Sequence, residues 1–325
     1  MKPTHDCIQH AANRIRPFCS PTPHYRWPLL CASLGKEVWV KHENHLATGA
    51  FKVRGGLNYF ASLAGTKAPR DVVCATRGNH GQSIALAGAA HGFRVHVVVP
   101  RDNSSEKNAA MRALGANLIE FGEDFQAARE HAAMLANTNG WHLVPAFHPD
   151  LVAGVATYAL EFLQGVEHLD TVYVPVGMGS GLCGMIAARD ALGLSTEIVG
   201  VVSAHAPAYA VAFETGRNEE AAVSTRLADG MACRRTDPAA LALIREGTAR
   251  FIRVSDDEVA AAMRLLFTAT HNVAEGAGAA SLAAAIQDRD TASATRVGVV
   301  LSGGNVDSKV FAEILAPALQ LPCAA

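Results

Sequence analysis

No window of this 325-residue sequence holds about 18 uninterrupted apolar residues, so no membrane-spanning helix is expected. The first residues, MKPTHDCIQHAANRIRPF, contain no apolar core of the kind a secretory leader needs. An excess of one charge is also lacking. The 28 Lys and Arg against 30 Asp and Glu leave a net charge of −2, so no global basic field is present to hold nucleic acid or an acidic membrane. Cysteine is sparse and unpatterned. Cys7, Cys19, Cys31, Cys74, Cys183, Cys233 and Cys323 are odd in number and never in a CxxC spacing. That usage fits a reducing cytoplasm and argues against a disulfide framework or structural zinc. Internal repeats, low-complexity tracts and charged tails are absent as well. The balance that remains, half hydrophobic and 18% charged, is that of a soluble globular protein of one large or two medium domains. Histidine is plentiful at 14 residues, but HENH at 42–45 lacks the HExxH spacing and follows a strand, so no metal site is expected there.

What is present is a repeated order of strand, turn and helix. EVWVKHE, DVVCAT, RVHVVVP, NLIEF, TVYVPV, EIVGVVS and RVGVVLS read as strands. FKVRGGLNYFASLA, GNHGQSIALAGAAHG, SSEKNAAMRALGA and DFQAAREHAAMLANTNG read as helices, with Ser105 and Asp124 as expected N-caps. Continuous apolar strands alternating with helices predict parallel sheets covered on both faces, an α/β fold. The charged, turn-rich stretch at 216–240 is expected to be the loosest. Ligands of such sheets bind beyond the carboxyl ends of the strands. The turns TRGNHGQS, GMGSGLCG and SGGNVD are therefore where chemistry is expected.

Two of these features constrain the ligand. VPVGMGSGLCGMIAA is a strand, a glycine-rich turn and a helix, a pattern whose backbone N–H groups converge on an anion. Its GSGLCG window fits GxGxxG formally. A dinucleotide site also needs an acid at the end of the next strand, and EIVGVVSAH offers Val202, Ser203 and Ala204 there. The phosphate loop stands and the dinucleotide does not, with tight strand–helix packing as the other use of these glycines. The second feature is TGAFKVRGG, where Lys52 stands among a phenylalanine, a valine and small residues. A lysine in such a setting either snorkels at a helix edge or loses its proton and attacks a carbonyl. A lysine nucleophile and a loop for one phosphate together match a cofactor that carries an aldehyde and one phosphate, pyridoxal 5'-phosphate.

These segments resemble a known family. KHENHLATGAFKVRGG, TRGNHGQS, VPVGMGSGL and SGGNVD, in that order over about 38–307, are similar to the motifs of pyridoxal-phosphate enzymes of the tryptophan-synthase-β type (fold type II), in the serine/threonine dehydratase and serine racemase group. The resemblance implies two parallel-sheet α/β domains with the cofactor in the cleft between them. The large domain is expected from 1–69 plus 148–325 and the small, substrate-side domain from 70–147. By the same resemblance Lys52 bonds covalently to the cofactor's aldehyde, Phe51 lies beside the ring and Asn79 bonds the phenolic oxygen. Gly177, Met178, Gly179, Ser180 and Gly181 cradle the phosphate, and Ser302 faces the pyridine nitrogen. Glu275 falls where the family has a glutamate near the cofactor. Thr76, Arg77, Gly78, Asn79 and His80 form the turn that holds the substrate's α-carboxylate, with His80 read as packing the turn rather than as a base. A hydroxyl at the pyridine nitrogen makes a milder electron sink than a carboxylate, which favours loss of a β-substituent.

The sequence departs from the group in three places. Its phosphate loop reads GMGSG in place of four glycines. Arg77 occupies the position where racemases of the group carry a proton-returning serine, and a guanidinium stays protonated at any working pH, which argues against racemisation. No acid lies between Glu197 and Glu214, where the group's divalent-metal site has two carboxylates, so no metal is expected. The expected activity is therefore dehydration of a 3-hydroxy-L-amino acid to a 2-oxo acid and ammonia by a cytoplasmic ammonia-lyase. L-threo-3-phenylserine is the favoured substrate and L-serine or L-threonine the alternative. A non-catalytic pyridoxal-phosphate binder is the reading from another class. Monomer and homodimer are both compatible with the sequence.

Overall fold

The computed structural model describes residues 2–316; Cys323 lies outside them. The strands are β1 (His24–Arg26), β2 (Glu37–His42), β3 (Asp71–Ala75), β4 (Arg94–Val99), β5 (Asn117–Glu120), β6 (His142–Leu143), β7 (Thr171–Pro175), β8 (Glu197–Ser203), β9 (Arg250–Val254) and β10 (Arg296–Leu301). They form a six-stranded sheet in the order β1-β2-β10-β7-β8-β9 and a four-stranded sheet in the order β5-β4-β3-β6. Every pairing is parallel except β1 with β2, a three-residue antiparallel edge. The four-stranded sheet draws all its strands from 71–143, and the six-stranded sheet draws its strands from both sides of that span.

The helices are α1 (His5–Ile15), α2 (Pro28–Leu34), α3 (Lys52–Ala64), α4 (Asn79–Ala90), α5 (Ser105–Ala113), α6 (Phe125–Asn139), α7 (Pro149–Gly165), α8 (Ser180–Ala191), α9 (Ala208–Thr215), α10 (Pro238–Gly247), α11 (Asp256–Thr270), α12 (Gly276–Gln287) and α13 (Ser308–Leu315). One face of the large sheet packs Val172, Val174 and Ile198 against α7, α8 and α10. The other packs Val199, Val201 and Val299 against α11 and α12. The small sheet is covered by α3, α4 and Met111 of α5 on one side and by Ala128, Ala132 and Ala136 of α6 on the other. Two-sided burial is why these strands read as unbroken apolar runs. Asp124 caps α6, as expected. The cap of α5 is Ser104 rather than Ser105: its hydroxyl accepts from the Lys107 N–H at 3.0 Å, which makes Ser105 the first helical residue.

Side chains tie the two sheets together across the cleft. Ser104 donates to the Asp307 carboxylate, and the Ser308 N–H donates to Glu106 at 2.9 Å. Among the described residues no helix is long and apolar enough to cross a membrane.

Candidate active site

Lys52 begins α3, where the chain leaves β2 and turns back under the cleft. Beside it in the same helical turn, Arg54 anchors a buried charge network. The Arg54 guanidinium, 1% exposed, bonds Glu43 (Nε to Oε2 2.7 Å) and Glu161 (Nη1 to Oε1 2.6 Å). Lys41, fully buried, donates to Glu161 at 2.6 Å and to the Thr22 carbonyl at 2.8 Å. Two cations and two carboxylates balance there, which is the condition under which such groups leave water. The Lys52 amine has no carboxylate within ion-pair reach among the described residues. Its one side-chain hydrogen bond is to the Ser180 hydroxyl at 3.1 Å, and it lies 4.8 Å from the centroid of the Phe51 ring. Burial pulls its pKa down to about 8. A lysine so placed is partly neutral near physiological pH and so nucleophilic.

Lys52 faces a cavity of about 950 Å³, measured out to its open mouth. The turns after β3, β7 and β10 line it, contributing Thr76 to His80, Gly177 to Gly181 and Ser302 respectively. The glycine turn leads into α8, whose first intrahelical bond is Cys183 N–H to Gly179 O at 2.9 Å. The N–H groups of Ser180, Gly181 and Leu182 precede that bond and have no intrahelical acceptor. Gly179 adopts φ 92°, and a β-carbon there would come within 3.0 Å of Ala240. Tyr209 fixes this turn by donating to the Met178 carbonyl at 3.0 Å, and Tyr158 fixes it by donating to the Gly181 carbonyl at 3.0 Å.

In the turn after β3, the Thr76 hydroxyl accepts the N–H groups of Gly78 (2.9 Å) and Gly81 (3.2 Å), so its oxygen shapes the turn. Asn79 is held from both ends. Its amide donates to Glu275 Oε1 at 2.6 Å, and its oxygen accepts from Asn305 at 2.8 Å. His80 is buried, and desolvation together with the Lys52 charge lowers its pKa to about 3, so the ring is neutral. Its Nε2 has no partner among the described residues. Arg77 lines the cavity and makes no ion pair among them either. Glu275 precedes α12. Burial raises its pKa to about 7 against the opposing pull of Lys107, and its Oε2 is buried without a hydrogen bond.

The structure thus brings every expected site residue to one cavity. It adds others that no motif announced. Lys107 on α5 reaches Asp229 at 2.6 Å and Glu275 at 3.7 Å, and Phe125, Ala146, Met231 and Cys233 complete the wall. Asn305 belongs to SGGNVD, but its grip on Asn79 is visible only in three dimensions. His42 and His45 lie outside this cavity. His42 Nε2 receives the Trp27 indole N–H at 3.0 Å, and His45 Nε2 meets Asn272 at 2.7 Å.

A glycine turn at a helix start, a buried lysine without a carboxylate partner among the described residues, a hydroxyl at the end of the neighbouring strand and unpartnered buried polar atoms fit one phosphorylated aldehyde. Comparison with known proteins agrees. The chain belongs to the family of pyridoxal-phosphate dependent enzymes, whose profile matches residues 15–303. Within it the chain is similar to the L-threo-3-hydroxyaspartate ammonia-lyase of Saccharomyces cerevisiae, 31% identical over 96% of both chains. It is also similar to the L-threonine ammonia-lyase of Thermotoga maritima, 33% identical over 86% of this chain and 70% of that one. Among solved structures, a threonine deaminase from T.th. superposes with a TM-score of 0.87 at 32% identity, covering 94% of this chain and 99% of the other.

Proposed function

We propose that the chain is a pyridoxal-phosphate dependent ammonia-lyase that removes water from a 3-hydroxy-L-amino acid. The observation that carries this reading is Lys52 itself, an amine with no carboxylate partner facing the glycine turn, Asn79 and Ser302 in one cavity. Lys52 holds the cofactor through its aldehyde, and Phe51 lies beside the ring. The backbone at Gly177, Met178, Gly179, Ser180 and Gly181 takes the phosphate. Asn79 takes the phenolic oxygen, Ser302 the pyridine nitrogen, and Glu275 keeps the Asn79 amide aimed. When bound, the cofactor supplies the electron sink that makes the substrate's α-hydrogen acidic. Lys52 Nζ, with its lowered pKa, is the base that takes that proton. His80, with a pKa of about 3, is too weak a base to compete for it. The turn Thr76–His80 binds the α-carboxylate. The small sheet with its helices, 70–147, forms the substrate side of the cleft. Six described cysteines are free thiols, which suits a cytoplasmic setting.

Phe125, Met178, Met231 and Ala146 give the cavity an apolar wall, which supports L-threo-3-phenylserine as the favoured substrate. The unpaired Arg77 guanidinium supports a second reading, a substrate with a carboxylate on its β-carbon such as 3-hydroxyaspartate. Serine and threonine are the small alternatives. A panel of these four with 2-oxo acid readout separates them: highest kcat/KM on phenylserine is expected. No 2-oxo acid from any of the four overturns the lyase reading and leaves a non-catalytic binder.

A further inference from the structure

Among the described residues the Ser180 hydroxyl has one hydrogen-bond partner, the Lys52 amine. Ser180 is 3% exposed and opens α8, and its place is fixed from both sides by the Tyr209 and Tyr158 bonds to the flanking carbonyls of Met178 and Gly181. The hydroxyl is therefore carried on a rigid mount. The amine, by contrast, ends four rotatable bonds. The other groups that face Lys52 are Cys233 from the segment before α10, Glu275 from the start of α12 and His80 from the first turn of α4. Glu275 is taken up by Asn79 and flanked by Lys107 and Asp229, His80 is neutral, and the Cys233 thiol is held protonated by burial, its pKa up at about 11. None of them hydrogen-bonds the lysine nitrogen.

We infer that Ser180 is a positioning residue for Lys52. Its hydroxyl accepts from the ammonium form and donates to the neutral form, so the amine keeps one direction through a full proton cycle. An alcohol suits this because it is both donor and acceptor. A carboxylate there would hold the lysine charged, and a glycine would leave the amine free to turn in the cavity. This role is distinct from holding phosphate, for which the backbone N–H groups of the turn already serve. The inference rests on Lys52 being the reactive lysine of the proposed reaction.

The test reads Lys52 directly, without turnover. In the cofactor-free chain, competitive acetylation over neutral to alkaline pH, with mass spectrometry of the Lys52 peptide, gives the midpoint at which the amine becomes reactive. Because a hydrogen bond to a charged group is stronger than one to a neutral group, losing it disfavours the ammonium form. Ser180→Ala should lower the midpoint by about one pH unit, and Ser180→Thr should restore it. In the loaded enzyme the acid limb of the kcat profile should move the same way in Ser180→Ala, with KM little changed. An unmoved midpoint in Ser180→Ala, with weaker cofactor retention as the only effect, overturns the inference and leaves Ser180 a phosphate donor. Ser180→Gly provides the same readout if the alanine variant does not fold. Should wild type release no 2-oxo acid, the acetylation midpoint still decides whether Ser180 holds Lys52.

Discussion

Arg54 and Glu43 are joined by two hydrogen bonds, 2.7 and 3.0 Å, with both side chains shut off from water and Lys52 on the same helical turn as Arg54. The pair anchors the start of α3 to the end of β2, and Glu161 of α7 closes it from the other side. Removing one member leaves its partner charged in the interior. Glu43→Gln should therefore destabilise the protein by about 3–5 kcal/mol, read as a lower midpoint in urea unfolding. A loss under about 1 kcal/mol, the range of an exposed pair, would show that the network is not needed to hold this turn.

The same network decides between two buried lysines. Lys41 is engaged by Glu161 and the Thr22 carbonyl and does not line the cavity; Lys52 does. Borohydride reduction of the loaded protein should fix the cofactor to the peptide bearing Lys52. Lys52→Ala should abolish both the adduct and turnover. An adduct on Lys41 would contradict the assignment.

Lys52 also leaves a signature in stability. Its folded pKa, about 8, is below the usual lysine value of 10.5, so the charged form is disfavoured on folding. Below about pH 8 both states hold the proton and the full burial cost is felt. Between about 8 and 10.5 the unfolded chain holds more protons, and stability of the wild type rises with pH. In the cofactor-free protein Lys52→Met should thus melt higher than wild type at neutral pH, and the gap should close as pH approaches 10.5. A gap independent of pH would mean that the amine is not shielded from water.

Arg77 lines the cavity and makes no ion pair among the described residues. If it holds a substrate carboxylate, Arg77→Ala should raise KM by roughly ten- to over a hundredfold, the equivalent of about 1.5–3 kcal/mol for a charged hydrogen bond. A fall in kcat at constant KM would instead assign it to the transition state. Racemisation should be undetectable beside elimination, because the guanidinium cannot take up a proton from carbon. Kinetics within about twofold of wild type would remove Arg77 from the substrate site.

Divalent metal should be dispensable. The segment after β8 carries no acid before Glu214, and hard cations bind poorly without carboxylates. Activity should survive EDTA; loss on chelation with recovery on adding magnesium would locate a site elsewhere.

Much of this architecture was legible in the sequence because buried parallel strands announce themselves. β3, β4, β7, β8 and β10 are short apolar runs followed by turns, and the motif residues Asn79, Gly177 to Gly181 and Ser302 follow β3, β7 and β10, while Lys52 opens the helix after β2. β9 escaped notice because RFIRV carries arginines at Arg250 and Arg253, which pair with Glu197 and Glu214 at the sheet edge. β1 and β6 are too short to show a period. Lys107, Asp229 and Cys233 were invisible for a different reason. They come from a helix of the small sheet and a charged loop of the large one, and only the closure of one over the other makes them neighbours. A lysine that follows a serine cap reads as surface until the opposite wall is known.

The backbones around the cofactor cleft touch one another without side chains between them. A β-carbon at Gly276 or Gly278 would strike the carbonyl of Leu227 or Gly303, and one at Gly177 would strike that of Gly230. This scaffold has no slack for evolution or an engineer to use, so altered substrate preference has to be written elsewhere. The editable positions are side chains that face the cavity from outside these backbone contacts, Arg77, Phe125, Met231 and Cys233. Related enzymes acting on different amino acids should diverge at such positions while the glycines beneath them stay the same.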